Sequence, residues 1–265
     1  MSKILSTSAK TSAYTQATLL SLVCAAVALF MTPFLGGITT DFSRVSLVTL
    51  ALVALGQGLG NIFYFTAIKT LTNGTAQIAF SSILIFNTTL SIIFLNLHLS
   101  VFNIFGVILL LIAITSVVSG KVVFDKRGVF LMVVGAFFYA VFQLSSSKLS
   151  HQVTAGTYLL VAYLGGAIVV FLLKSKLVLQ DMRKSGSGIA IRNSLYAAVP
   201  SLGNFLFAYY AYRSAPRPAI VAILLTSQVV VTILLGYFIL KERDNVKRKV
   251  SAALLVVASA ALIKN

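Results

Sequence analysis

The chain has 265 residues, of which 58% are apolar and only 10% charged, with a net charge of +16 and a mean hydropathy of +0.99. A soluble domain carries about 25% charged residues, so this composition excludes a water-soluble fold. The basic residues sit between or at the ends of apolar runs, where orientation rules account for them. A nucleic-acid binder would gather them on one folded face, so no nucleic-acid partner is expected.

A bilayer core takes about 20 apolar residues per helix. Nine runs approach that length: 14–34, 45–68, 77–97, 102–119, 128–147, 156–173, 192–212, 218–240 and 249–263. Strands would leave unpaired backbone groups in lipid, and none of these runs alternates as a barrel strand does, so the spans are helices. The fold class expected is an all-α polytopic membrane protein. The first run has no small-x-small cleavage site and reads as a retained helix rather than a signal peptide. Cys24 lies within it, and a single cysteine permits neither an intrachain disulfide nor a thiolate metal site. Between runs the connections are short, with "LTNGTAQ" after Lys69 and "SAPRPA" after Arg213 carrying turn chemistry. Only residues 174–193 form a long polar stretch, read as a flexible basic loop.

A repeat organises these runs. "GLGNIFYFTAIKTL" from Gly58 returns as "SLGNFLFAYYAYRS" from Ser201, 143 positions later. The same offset lays 45–68 on 192–212 and 77–97 on 218–240. Within a few residues it also lays 102–119 on 249–263 and 14–34 on 156–173. Helix 128–147 alone has no counterpart. The expected plan is therefore two inverted five-helix repeats, 1–120 and 121–265, with the first helix of repeat one absent. Units with an odd number of helices insert in opposite senses, the plan of many secondary transporters.

The ending "AYRSAPRPAIVAILLTSQVVVTILLGYFILKERDNVKRKVSAALLVVASAALI" resembles the C-terminal end of EamA-like proteins of the drug/metabolite transporter superfamily. The residues that carry the resemblance are Leu225-Thr226-Ser227 and the Leu240-Lys241-Glu242-Arg243 signature. Departures are Val229 near the usual proline, Asn96-Leu97-His98 where the first half would repeat the acidic signature, and nine helices against the family's ten. The resemblance implies a metabolite transporter whose substrate sits between the two halves near the midplane.

Polar side chains in a helix centre are expensive, which makes them candidates for a cavity lining. Gln57, Asn61 and Tyr64 fall on one face of helix 45–68 at i, i+4 and i+7. Gln77, Ser81 and Thr88 share a face of the next helix, with Asn87 beside them. Tyr139 and Gln143 are i, i+4 on helix 128–147. Asn204 repeats Asn61, and Gln228 and Thr232 are i, i+4 on helix 218–240. The competing reading is helix–helix glue worth about 0.6 kcal/mol per contact. The substrate-binding candidates are Gln57, Asn61, Tyr64, Asn87, Tyr139, Gln143, Asn204 and Gln228.

The five acids, Asp41, Asp125, Asp181, Glu242 and Asp244, all fall in loops or at helix ends. Both histidines, His98 and His151, fall in loops as well. No carboxylate pair, catalytic triad, metal cluster or phosphate-cradling loop is present, so no enzymatic activity, no cofactor and no metal are expected. The expected function is transport of a small polar metabolite, amino acid-like or drug-like, by alternating access, as a facilitator or exchanger. The alternative is a non-transporting membrane subunit or a truncated, inactive transporter fragment. The partners are a small-molecule substrate and the lipid bilayer, with a homodimer left open. Sixteen of the 21 Lys and Arg fall on the side of the N-terminus in the nine-helix plan, which places that end in the cytoplasm. The expected location is a bacterial inner membrane.

Overall fold

The computed structural model describes residues 11–43, 45–95, 100–118, 125–183, 187–214, 218–239 and 245–264. Among them run α1 (Ala13–Met31), α2 (Leu47–Ile68), α3 (Asn73–Phe80), α4 (Ile83–Leu95), α5 (Val101–Val118), α6 (Lys126–Ser150), α7 (Ala155–Met182), α8 (Ser187–Ser214), α9 (Pro218–Phe238) and α10 (Val246–Lys264). No strand occurs among the described residues. α3 and α4 together make one broken span, so the helices occupy the nine apolar runs. The protein is an all-α polytopic membrane protein.

The helix starts are written locally. Ser12, Ser46, Thr72, Asp125 and Thr154 sit at N-caps in extended conformation, each side chain accepting from a backbone N–H of the first turn. α1 ends in a 3₁₀ turn, Thr32–Leu35, led by Pro33 and closed by Gly36 at φ +88°. Only a residue free of a Cβ takes that left-handed position without cost.

Two expectations need correction. Residues 174–193 are not a loop: α7 runs to Met182 and α8 begins at Ser187. α7 kinks at Lys174, whose φ is −144°, and the segment beyond the kink has an inner face. There Val178 and Asp181 are buried, and Met182 packs on Leu19 and Ala190. The third span also starts earlier than 77, because Thr72 caps it and draws Asn73–Gly74 into its first turn. It breaks at Ser81-Ser82, where the Ser81 hydroxyl donates to the Gln77 carbonyl at 2.9 Å. Such back-bonding serines compete with the helix ladder.

Among the described residues, five helical stretches are long and apolar enough to cross a membrane: Ala13–Leu35, Leu47–Ile68, Asn73–Phe94, Lys126–Ser150 and Ala155–Met182. Val101–Ser116 and Val229–Phe238 are shorter apolar segments. Large side chains such as Phe30, Leu47, Phe207 and Phe238 stand almost fully exposed, a surface that only lipid can cover.

Several helices matched by the 143-residue offset touch one another. α1 lies against its counterpart α7, and α5 against its counterpart α10. α2 contacts α7 as α8 contacts α1, so exchanging the halves preserves these pairs. One apolar core joins α1, α2, α6, α7 and α8, and a second joins α3, α4, α5, α9 and α10. Lipid tails are as apolar as leucine, so close helix approach has to come from small residues. On α2, a Cβ at Gly56 would lie 2.8 Å from both Phe138 O and Phe142 N of α6.

Candidate functional site

Where α2, α3, α6, α7 and α8 converge, a cavity of about 400 Å³ opens, lined also by Leu20 of α1 and Thr232 of α9. A pocket for a small molecule has about 300–1,000 Å³. Six of the eight residues singled out from sequence line it: Gln57, Asn61, Tyr64, Tyr139, Gln143 and Asn204. Asn87 does not; it stands behind the wall, and its amide donates to Gln143 Oε1 at 2.7 Å. Gln228 lies on α9, with its side chain outside the described residues, as do those of Leu225, Thr226 and Ser227. His98, Glu242 and Asp244 also fall outside the described residues.

A hydrogen-bond network fixes the polar wall. Tyr139 donates its hydroxyl to Asn61 Oδ1, and Asn61 Nδ2 reaches Ser21 Oγ at 3.4 Å. Gln77 Nε2 donates to the Tyr64 hydroxyl at 3.0 Å. Tyr163 donates to the Ser201 carbonyl at 2.7 Å, bridging α7 and α8. Asn204, the repeat partner of Asn61, is exposed and has no hydrogen-bond partner among the described residues. Three further lining groups are buried without hydrogen-bond partners among the described residues: the amide oxygen of Gln57 and the hydroxyls of Tyr158 and Tyr212.

Sequence reasoning missed the aromatic wall. Phe205 stacks on Tyr163 with ring centroids 4.8 Å apart and on Phe142 at 5.1 Å. Phe80 meets Tyr139 and Tyr64 edge-on at 5.3 and 5.6 Å. Aromatic residues in an apolar run carry no period that separates a cavity lining from a core, so Tyr64 and Tyr139 stood out with the amides while Phe80, Phe142, Tyr163 and Phe205 did not.

At one end of the bundle a polar cluster ties three elements together. Asp181 Oδ2 accepts from the Ser12 backbone N–H at 2.8 Å and from the Thr15 hydroxyl at 2.9 Å. A carboxylate at a helix N-terminus is favourable, and Asp181 is 2% exposed. Lys69 donates from Nζ to the Thr11 carbonyl at 2.7 Å. Its partial burial pushes the ammonium pKa down, and the charge of Asp181 opposes that shift. Asp181 is thus a buried acid, though at a helix end and not among the residues that line the cavity.

Among the described residues no group of three His, Cys, Asp or Glu could hold a metal ion. Cys24 is buried and free. The cavity can therefore bind by shape, stacking and hydrogen bonds, with no ionised side chain among the described residues that line it.

No curated protein matches the chain. A crystal structure superposes on it with a TM-score of 0.68 at 14% identity, covering 98% of this chain and 89% of that one. At that identity the likeness concerns the fold alone. The model of the EamA-like transporter family matches residues 126–264, more than half of the chain. That is a family of membrane transporters rather than of enzymes, and the polytopic helical fold with its internal cavity agrees with it. The chain belongs to the EamA-like transporter family.

Proposed function

We propose that this protein carries a small polar metabolite across a bacterial inner membrane, by alternating access between the two repeats. The observation that carries the reading is that Asn61 and Asn204, repeat counterparts on α2 and α8, line one cavity in the apolar part of the bundle. An amide in lipid without a partner costs several kcal/mol, so Asn204, which has no hydrogen-bond partner among the described residues and lines the same open volume as Asn61, marks a place for a polar ligand. Tyr64, Tyr139, Gln57 and Gln143 complete the binding surface.

The lining contains no described carboxylate or histidine that could load and release a proton. The expected mode is accordingly facilitated diffusion or exchange. The N-terminus lies in the cytoplasm, on the side that carries sixteen of the 21 basic residues. Counterflow in proteoliposomes preloaded with unlabelled solute tests the mode. Labelled solute should accumulate transiently with no pH gradient. Uptake that occurs only under an imposed proton gradient would overturn it.

A further inference from the structure

We propose that the ligand of this cavity is an uncharged nitrogen heterocycle with an N–H donor edge, read by the Gln57 amide oxygen and the Tyr212 hydroxyl. The inference rests on the transport reading above and specifies its substrate class.

Three features of the lining lead there. The first is the absence of ionised groups: the described lining residues include no Asp, Glu, Lys, Arg or His. An ion brought into an apolar interior needs a counter-charge or a full set of hydrogen bonds. Several of the polar groups around this cavity are already engaged. Asn61 accepts from Tyr139, Tyr64 accepts from Gln77, and Gln143 accepts from Asn87. A zwitterion or cation would meet only the neutral dipoles of Gln57, Tyr158, Asn204 and Tyr212, with no counter-charge among the described lining residues.

The second is the wall of six rings, Tyr64, Phe80, Tyr139, Phe142, Phe205 and Tyr163, linked by stacked and edge-on contacts. Such a wall accepts a flat ring, face or edge, at centroid separations of about 4.5–7 Å. An aliphatic solute of the same volume would gain no such contact.

The third is what the wall leaves unpaired. Gln57 is 2% exposed and Tyr212 3% exposed, and both side chains line the cavity. The Gln57 oxygen and the Tyr212 hydroxyl are buried with no hydrogen-bond partner among the described residues, as is the Tyr158 hydroxyl. Gln57 is packed closely by α7, where a Cβ at Gly166 would lie 2.9 Å from Gln57 Cγ. A carbonyl oxygen can only accept, so the ligand has to present a donor to it. Buried polar groups nearly always find partners. A plain hydrocarbon ring would leave both unsatisfied, and a ring with an N–H donor satisfies the first directly.

A set of solutes with one ring and different charge tests this on the full chain in lipid nanodiscs, read by equilibrium binding. The probes are indole-3-acetamide (neutral), tryptophan (zwitterion), tryptamine (cation) and indole-3-acetate (anion). The neutral member should bind at least about tenfold more tightly than each of the other three. Methylation of its ring nitrogen should cost about tenfold or more, as expected when a buried acceptor is left unpaired. Gln57→Leu should erase the difference between the methylated and unmethylated probes. Tyr212→Phe removes a single oxygen, keeps the ring packing, and should weaken the neutral probe if Gln57→Leu fails to fold.

A charged member that binds as tightly as the amide overturns the proposal. If its binding is also lost in Asn61→Leu, the cavity remains a substrate site and only the ligand class is wrong. Equal binding of the methylated probe overturns the role of Gln57. Absence of binding by all four overturns the proposal. If counterflow of every other solute tried also fails, the transport reading falls with it.

Discussion

α2 and α8 carry the same Leu-Gly-Asn, yet the two copies live differently. Gly60 of α2 is pressed against α6, and a Cβ there would sit 2.8 Å from the Tyr139 ring. Gly203, its counterpart on α8, would meet nothing within 4 Å. Val199 stands at the position of Gly56 and is 75% exposed. The asparagines follow suit: Asn61 is gripped by Tyr139 and Ser21, while Asn204 is unpaired. The lesson is that a repeated sequence dictates a repeated helix, and the neighbour decides what each residue does. α6 is the neighbour that α2 has and that no described helix supplies to α8.

The sharpest way to break this comparison is to fill both glycines. Gly60→Leu should destabilise the protein by about 3 kcal/mol, because overpacking forces the Tyr139 ring and α6 to move. Gly203→Leu should stay within about 0.5 kcal/mol, as for a surface change. Thermal unfolding of the two variants in detergent decides it, and equal losses would remove the distinction between the two helices.

A second contrast lies between α7 and its counterpart α1, since only α7 continues past its apolar run. Asp181→Ala removes the acceptor for Ser12 N–H and the Thr15 hydroxyl, and should cost about 2 kcal/mol, as for bonds to a charged group. Hydrogen exchange at the start of α1 should speed up. If only the end of α7 loosens, the cluster does not hold α1.

The asparagine pair gives a smaller stability effect with the same sense. Asn61→Leu strands the Tyr139 hydroxyl and should cost about 1–2 kcal/mol. Asn204→Leu strands nothing among the described residues and should leave unfolding unchanged.

The smallest effect concerns α6, the helix without a repeat counterpart. Its N-cap Asp125 has a carboxyl pKa held below the usual 3.8, chiefly by a hydrogen bond from Thr70 and then by the Gly128 backbone. A carboxylate with a depressed folded-state pKa adds stability that is fully present above its unfolded value. That stability fades as pH falls through the folded value. Asp125→Asn should therefore flatten the loss of stability below about pH 4 without altering the curve at alkaline pH. An unchanged acid limb would show that the cap contributes nothing.

Much of this was legible in the residues because lipid imposes simple rules. Each apolar run had to be a helix, and the offset of 143 tied α2 to α8 before any contact was known. The ends were harder. "KSKLVLQDM" reads as polar and mobile, yet Asp181 finds its partners 166 and 169 residues away at Thr15 and Ser12. No local pattern announces such a pairing. Thr72 and the Ser81-Ser82 break were visible as residue types and were read as loop and cavity chemistry instead of a cap and a kink. At the cavity, Gln57, Asn61, Tyr139, Gln143 and Asn204 stood out because amides and a tyrosine are rare in mid-span. Phe142, Phe205 and Tyr163 did not, since they match what any core would contain. Asn87 was placed one layer too far in, because helical spacing gives the face but not the depth.

The measurement that tests the account most directly is counterflow by Asn204→Leu, in proteoliposomes at matched protein density and with its melting temperature recorded alongside. Asn204 makes no hydrogen bond among the described residues, so the account predicts an unchanged melting temperature together with transport reduced about tenfold or more, the size of effect that loss of one substrate hydrogen bond produces. Transport equal to that of the wild type, in a protein equally stable, would contradict the claim that this cavity is where the substrate binds.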